Sequence, residues 1–354
     1  MARRAILPAI AAMLLLCGCS PTTYVLRFDR AGGEGDQVWP VPQTLEVARY
    51  RYLGQLTGED NLQPVGERGG GFKAALKWLV GLADGDAGRT VLQRPQSGTV
   101  DAEGRIYVTD VSRKAVFVFD ETQGRLEVWD DAGGGRRLAS PIAVALGAGG
   151  QVLVTDSELA LVLRFDRDGK PLGDFGGGTL QRPTGIARDA ARGLIYVADT
   201  YAHDIKVFDD AGRLVDTIGR RGDGLGEFNF PTHLAFARGM LYVTDMMNSR
   251  IQGLSADGGV RLHFGERGLY VGNLVRPKGV ATDSDGNDYV VESMYDTLLV
   301  YDPRGRLLLS IGGTGKDAGR FFLPAGLWID GRNRVYVADM FNGRVVVFQF
   351  LGGT

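Results

Sequence analysis

Short apolar runs with polar punctuation recur along most of this chain of 354 residues. A typical run, Ile205 to Phe208, has β-branched and aromatic residues without helical periodicity. Glycine-containing turns such as Asp168-Gly169 and Ala211-Gly212 separate the runs. This pattern predicts short strands joined by tight turns.

The runs are organised into a block that returns six times, at a spacing of 42 to 48 residues. Each copy begins at a proline and reaches an acidic residue 14 to 16 positions later. The prolines are Pro95, Pro141, Pro183, Pro231, Pro277 and Pro324, and the acids are Asp110, Asp156, Asp199, Asp245, Glu292 and Asp339. A fixed period of this length, built from strands, predicts an all-β, six-bladed β-propeller with four-stranded blades over residues 95–354.

The block resembles the NHL repeat. Its best copies combine Pro183-Thr-Gly-Ile-Ala with Ile195-Tyr-Val-Ala-Asp199, and Val335-Tyr-Val-Ala-Asp339 with Asn342-Gly-Arg344. The resemblance covers about residues 95 to 350 and implies an NHL-like propeller. It leaves function open, because propellers of this kind include scaffolds, ligand sensors and some enzymes.

The sixth block ends after its third strand, and a matching run lies before the first block. Residues 45–58 contain Val47, Tyr50, Tyr52, Leu53 and Leu56, and their ending resembles the outer strand of the fifth block. We expect this N-terminal strand to complete the last blade and remove an exposed edge. The alternative is an unattached N-terminal arm.

Residues 1–18 have the proportions of a signal peptide. Arg3 and Arg4 precede an apolar run from Ala5 to Leu16, which is too short to span a bilayer. The following Cys17-Gly18-Cys19 looks like a bacterial lipoprotein box with Cys19 as the lipidated residue. The resemblance implies lipid anchoring at the bacterial outer membrane, and the alternative is an ordinary secretory signal.

Composition excludes several function classes. Cys17 and Cys19 are the only cysteines, so a processed chain has no disulfide, thiol nucleophile or zinc–thiolate site. The formal charge is −2, or about −4 without the signal arginines, and there is no basic tract. We therefore expect no nucleic-acid partner, since nucleic acids require clustered positive charge.

Two segments lie outside the repeats. Residues 19–44 are predicted to be a tether with a local β-run near Tyr24 to Phe28. Residues 59–94 form an insertion with a predicted helix at about 72–83, where Phe72, Leu76 and Leu79 share one stripe. This short helix precedes the first blade and either caps the propeller or contacts a partner or membrane.

The three histidines and the six repeated acids are the candidate metal ligands of the chain. His203, His233 and His263 occupy different positions of the repeat, so they cannot form the histidine trio of NHL-type amidating lyases. His233 and Lys278 are placed at the channel mouth. The six repeated acids predict structural hydrogen bonding, with Ca²⁺ binding through Glu292, Asn248 and Asn342, as in lactonase-like propellers, as the alternative. No other metal or cofactor is expected.

Apolar residues near the acids give the strongest functional signal. Blades three to six carry Tyr201, Met247, Tyr295 and Phe341 two or three positions after the acid, joined by Met246, Met294 and Met340, whereas blades one and two carry Ser112 and Glu158. These residues predict either an exposed protein-binding patch or side chains packed beneath the loops.

We therefore predict a lipid-anchored cell-envelope propeller that acts as a non-enzymatic protein-binding or scaffold module. Similar lipoprotein propellers accompany multihaem cytochromes, which suggests a role in an envelope redox complex. The alternative is a metal-dependent hydrolase or lyase, lactonase-like or amidating-lyase-like, that uses the channel mouth.

Overall fold

The computed structural model describes residues 24–30, 37–40, 47–65 and 90–352. Within these residues the chain forms antiparallel sheets, and its helical content consists of single 3₁₀ turns such as Glu59–Asn61 and Met246–Asn248. No helix long and apolar enough to cross a membrane occurs among them. The predicted signal peptide, Cys19 and the helix at about 72–83 lie outside the described residues.

Six sheets are arranged as the repeat predicts, and in blades one to five the strands follow chain order from the inner to the outer position. Blades one to three comprise Pro95–Val100, Arg105–Asp110, Ala115–Asp120 and Arg125–Trp129; Pro141–Leu146, Val152–Asp156, Leu161–Phe165 and Pro171–Phe175; Pro183–Asp189, Leu194–Asp199, Asp204–Asp209 and Leu214–Ile218.

Blades four and five continue the pattern, and blade six combines strands from both ends of the chain. Their strands are Pro231–Ala237, Met240–Asp245, Arg250–Ser255 and Val260–Phe264; Pro277–Thr282, Asp288–Glu292, Thr297–Tyr301 and Leu307–Gly312; Leu327–Ile329, Arg334–Asp339, Arg344–Phe350 and Tyr50–Leu56. The six-bladed propeller with an N-terminal strand completing the last blade is therefore confirmed.

The sixth blade closes the ring through Tyr50–Leu56, which pairs antiparallel with Arg344–Phe350. Buried Leu56 packs with residues of blade one, whereas Tyr50 and Tyr52 belong to the cluster shared by blades five and six. The Tyr50 hydroxyl lies 2.9 Å from that of Tyr289 in blade five. One strand thus joins the first and last blades in the same hydrophobic core, which removes the exposed edge.

The region expected to be a tether has more structure than its composition indicated. Val38–Trp39 adds a fifth strand to blade six beside Tyr50–Leu56. Tyr24–Leu26 pairs with Leu62–Pro64. Buried Asn61 fastens this region, because its amide donates to the carbonyls of Arg27 and Gln55, both at 2.8 Å. These contacts come from residues distant in sequence, which is why local composition did not indicate them.

The six repeated acids lie at the ends of the second strands, and all are fully buried. The Asp156 carboxylate accepts hydrogen bonds from the backbone N–H groups of four residues, Ala139, Ser140, Glu158 and Leu159. Two of these donors precede the inner strand of the blade and two follow the acid. Each such carboxylate therefore fastens the entry of a blade to the turn after its second strand.

The other five acids also accept hydrogen bonds from the backbone before their inner strands, and their remaining partners vary. Asp110 also receives four backbone N–H groups, and Asp199 and Glu292 accept from the backbone before their inner strands. Asp245 and Asp339 each use one backbone N–H and an arginine, with N–O distances of 2.8 Å to Arg250 and 2.7 Å to Arg344. In every blade the acid therefore makes structural hydrogen bonds or ion pairs.

Truncation of the closing strand should destabilise the ring. Leu56→Ala deletes buried methyl groups at the junction of blades six and one, and we expect it to lower the free energy of unfolding by about 2–5 kcal/mol. Val47→Ala, at an exposed position (76%) just before the same strand, should change it by less than about 0.5 kcal/mol. Urea unfolding measures both. Equal stability of the two variants would show that the strand is dispensable.

Loss of a blade acid should also be costly. Asp156→Ala leaves four N–H groups without their acceptor, and we expect a loss of about 3 kcal/mol or more. Asp168→Ala, in an exposed turn of the same blade, is the matched control and should stay within about 0.5 kcal/mol of the parent. A thermal or urea melt in which Asp156→Ala matches the control would contradict the structural role.

Candidate functional site

The candidate site lies on the face where the second strands end, which we call the acid face. Two sets of loops form this face: the turns that follow the six acids, and the connections from each outer strand to the inner strand of the next blade. In five of the blades the buried carboxylate accepts hydrogen bonds from both sets of loops, and Asp199 of blade three accepts from the connection before its inner strand. The loops that carry the side chains of the acid face are therefore held in place by these hydrogen bonds.

Five large side chains form a partly exposed surface on blades three to six, which we call the apolar arc: Tyr201, Met247, Met294, Tyr295 and Phe341. Their exposed fractions run from 37% for Tyr295 to 53% for Tyr201. The arc occupies four consecutive blades, while the corresponding turns of blades one and two carry Ser112 and Glu158. The structure thus places apolar surface on one side of the acid face.

Two methionines named with this patch on sequence grounds are less available. Met340 is only 7% exposed, and Met246 is half-buried. Each directly follows an acid and begins a 3₁₀ turn. In these turns the first methionine points towards the protein and the next residue, Met247 or Phe341, is presented to solvent. The exposed patch therefore excludes Met340.

Neighbouring loops hold the aromatic members of the arc. The Tyr295 hydroxyl donates to the Gly268 carbonyl at 3.2 Å. Phe341 packs edge-on against Phe322, with 5.6 Å between ring centroids, and Tyr201 packs similarly against Phe230 at 6.3 Å. These contacts fix ring orientation while leaving about half of each side chain exposed, so little conformational entropy would be lost on binding.

Sequence reasoning missed apolar residues in the connections between blades. Leu269, Tyr270 and Val271 are 73–87% exposed in the loop from blade four to blade five, and Leu225 and Phe322 lie in the flanking connections. All five are on the acid face, on the same side as the arc. The sequence feature that could have revealed them is the apolar triplet Leu269 to Val271, which lies among charged and glycine residues.

The channel mouth is the second component of the acid face. His233 and Lys278 lie near the starts of the inner strands of blades four and five, and both are half-buried. Burial, together with the nearby Lys278 charge, lowers the pKa of His233 to about 3, so its imidazole is neutral at pH 7. Burial also lowers the pKa of Lys278, and the charges of Arg276 and Arg94 add to this effect.

Three arginines lie where the chain enters an inner strand, each directly before its first proline: Arg94, Arg182 and Arg276. They belong to alternate blades, the first, third and fifth. The Arg94 guanidinium lies over the Phe341 ring at 5.3 Å, and that of Arg182 lies over the Tyr201 ring at 5.1 Å. Sequence analysis did not single them out, although their shared position before the proline was visible.

Two of the cavities at the opposite face involve the central channel and the closing blade. One, of about 380 Å³, is the lower part of the central channel and is lined by one inner strand from every blade. The other, of about 560 Å³, is a groove between blades five and six, lined by residues that include Tyr50, Asn287 and Leu308. Neither cavity contains His233, Lys278 or the apolar arc among its lining residues.

The candidate metal ligands are not brought together. No group of three or more His, Cys, Asp or Glu side chains in the described part of the chain is arranged to hold a metal ion. His203 is buried and accepts from the Phe230 N–H at 3.2 Å, whereas His263 is on the outer strand of blade four. Glu292 accepts three backbone N–H groups. Asn248 and Asn342 donate to Asp245 and Asp339 in their own blades.

Comparisons with known proteins support the fold. The DUF5128 family model, described as a 6-bladed beta-propeller, matches residues 188–260. Protein brain tumor of Drosophila melanogaster is 31% identical over 145 residues. That match spans 40% of this chain and 13% of the fly protein.

Solved structures of varied function have the same architecture. A streptogramin B lyase superposes with a TM-score of 0.54 at 13% identity, covering 73% of this chain and 94% of the lyase. A Xanthomonas campestris gluconolactonase gives 0.55 at 18% identity, covering 73% and 86%. A chain of Kuenenia stuttgartiensis hydrazine synthase gives 0.53 at 15% identity, covering 76% and 99%. At these identities the likeness concerns the fold alone. Taken with the six observed blades, the family model and the fly relative support an NHL-like six-bladed β-propeller.

Proposed function

We propose that this propeller is a non-enzymatic protein-binding module of the bacterial cell envelope, anchored to the outer membrane through a lipid on Cys19. The observation that carries the proposal is the apolar arc, which exposes aromatic and methionine side chains on four adjacent blades of one face. NHL propellers generally mediate protein interactions, and the similarity to the fly protein agrees with this class of function.

The composition of the arc suits a protein interface. Aromatic residues and methionine are enriched at the centres of interfaces, whereas isolated exposed apolar residues are ordinary on protein surfaces. Here three of the six blades present Tyr201, Tyr295 or Phe341 at corresponding turns, and the connecting loops add Leu269 to Val271. Recurrence on one face distinguishes this surface from scattered apolar residues and favours a macromolecular partner.

The position of the N-terminal segment supports an orientation in which the acid face is turned away from the membrane. The Tyr24 carbonyl packs against Gly124, where a Cβ atom would lie 1.8 Å from the oxygen. Gly124 is in the turn between the third and outer strands of blade one, on the face opposite the acids. From Tyr24 to Cys19 the chain can extend about 18 Å at most. A lipid on Cys19 would therefore hold the opposite face towards the bilayer.

A scaffold role in an envelope redox complex is the more specific form of the proposal. It follows from the resemblance to lipoprotein propellers that accompany multihaem cytochromes. An outward-facing apolar arc on a lipid-anchored propeller would suit the docking of a soluble or peripheral component of such a complex. The partner is therefore sought among envelope proteins.

Removal of two aromatic anchors should abolish partner binding. Truncation of an aromatic anchor at an interface costs about 2 kcal/mol or more, which is roughly a thirtyfold loss of affinity. We expect Tyr295→Ala combined with Phe341→Ala to abolish recovery of the partner from solubilised envelopes, with little change in melting temperature.

The matched control is Leu172→Ala combined with Leu214→Ala, two residues of similar exposure (47% and 46%) on outer strands. This control should retain the partner, as judged by quantitative mass spectrometry of the co-purified proteins. Retention of the same partner by the folded aromatic double variant would place the binding surface elsewhere.

Membrane attachment should depend on one residue. Lipid anchoring is driven by burial of acyl chains, at roughly 0.8 kcal/mol per methylene group. Cys19→Ser removes the acylation site, so we expect the protein to move from the membrane fraction to the soluble fraction on ultracentrifugation. Cys17→Ser is the control and should remain membrane-bound. Salt-resistant membrane attachment of Cys19→Ser would refute the anchor.

A further inference from the structure

Positive charge is concentrated at the channel mouth without an ion-pair partner among the described residues. We define the mouth cluster as Arg94, Arg182, Arg276, Lys278 and neutral His233. Among the described residues, no carboxylate lies within ion-pair distance of these three arginines or Lys278, whereas Arg250 and Arg344 of the same face are paired with Asp245 and Asp339. The mouth therefore holds several neighbouring cations that have no ion pair among the described residues.

The backbone of the mouth cluster is fixed by the blade acids. The N–H groups of Arg94, Arg182 and Arg276 donate to Asp110, Asp199 and Glu292 at 2.8–3.0 Å. Since these carboxylates are fully buried and already accept backbone groups, they organise the arginines without forming side-chain ion pairs with them. Charged side chains thus project from a framework that is set before any ligand arrives.

Two of the arginines also join the mouth to the apolar arc. Arg94 lies over Phe341 and Arg182 lies over Tyr201, so each guanidinium is oriented by an aromatic ring of the arc. A guanidinium that stacks on a ring can still donate its N–H groups from the edge. A ligand that covered the arc would therefore meet oriented N–H donors at its centre.

Crowding of cations is unfavourable in the unliganded protein. Lys278 is half-buried, and the charges of Arg276 and Arg94 disfavour its protonated form in the same direction as burial does. A bound anion would offset the repulsion among these cations. The planar guanidinium groups match the geometry of a carboxylate. Carboxylates are also the anionic groups that unmodified proteins present at their surfaces.

We infer that the mouth cluster binds carboxylate groups of the partner, carried by an acidic segment that is seated at the channel mouth while the apolar arc packs around it. This inference rests on the proposed protein-binding function and specifies the chemistry of the partner. It predicts a partner surface in which Asp or Glu side chains are surrounded by apolar residues.

The test uses two carboxylate probes on the full chain in detergent: a hexaglutamate peptide, which represents an acidic protein segment, and citrate, which represents a free polycarboxylate. Isothermal titration calorimetry at constant ionic strength should show saturable binding of the peptide. Arg276→Ala combined with Lys278→Met should weaken it at least tenfold. Arg304→Ala, which removes an exposed charge from a turn on the opposite face, should leave the affinity within about twofold.

A second readout guards against misfolded variants. Lys278→Met removes a crowded charge, so it should leave the melting temperature of the free protein equal or higher while reducing the rise that the peptide produces in the parent. Citrate binding with no peptide binding would overturn the inference in favour of a small-molecule site. Absence of saturable peptide binding, or equal losses in the mouth variant and Arg304→Ala, would also overturn it.

The two proposals can fail separately. Tyr295→Ala alone should leave hexaglutamate affinity within about threefold, because Tyr295 carries no charge and its ring does not stack on an arginine of the mouth cluster. Loss of partner recovery in the aromatic double variant, with no dependence of peptide binding on Arg276 and Lys278, would refute the mouth inference and leave the arc as the binding surface. The reverse result is peptide binding that depends on Arg276 and Lys278, together with full partner recovery by Tyr295→Ala combined with Phe341→Ala. It would refute the arc as the binding surface and leave the mouth as a carboxylate site.

Discussion

Buried carboxylates that accept backbone N–H groups at the end of each second strand are the contacts on which the acid face depends. A buried carboxylate requires several donors to offset its desolvation. Backbone N–H groups at the entry of the blade donate to every acid, and the turn after the acid or a nearby arginine adds donors in most blades. Burial raises the pKa of Glu292 and Asp339, and backbone donors act in the opposite direction. The hydrogen bonds that satisfy each buried carboxylate therefore also fix the loops that carry the apolar arc and the mouth cluster.

Closure of the ring distributes stability around the molecule. Each blade packs its faces against its neighbours, so the core consists of clusters shared between adjacent blades. The strand Tyr50–Leu56 supplies the one contact that the repeats cannot make alone, because it pairs with the last repeat and packs on the first. Asn61, with no exposed surface, adds polar restraint through hydrogen bonds to residues on both sides. Loss of that junction would weaken both neighbours.

The acid face therefore combines two kinds of surface with different roles. In the proposed complex the apolar arc would supply aromatic anchors, which carry most of the binding free energy at interfaces, and the cations at the mouth would supply orientation and selectivity. Their connection through Arg94 with Phe341 and Arg182 with Tyr201 means that both would be covered by one partner. The acid face is also the face that a lipid on Cys19 would direct away from the bilayer.

The sequence by itself determined the repeat, the six blades and the origin of the closing strand, because a period of 42 to 48 residues and alternating apolar runs are local properties. It also marked Tyr201, Met247, Tyr295 and Phe341 as special, since only four repeats carry large apolar residues there. Only the tertiary structure decided that Met340 is buried while Phe341 is exposed, since a 3₁₀ turn sets their directions. It alone brought Arg94 of blade one near Lys278 of blade five, because this proximity arises when a ring closes and leaves no trace in either repeat.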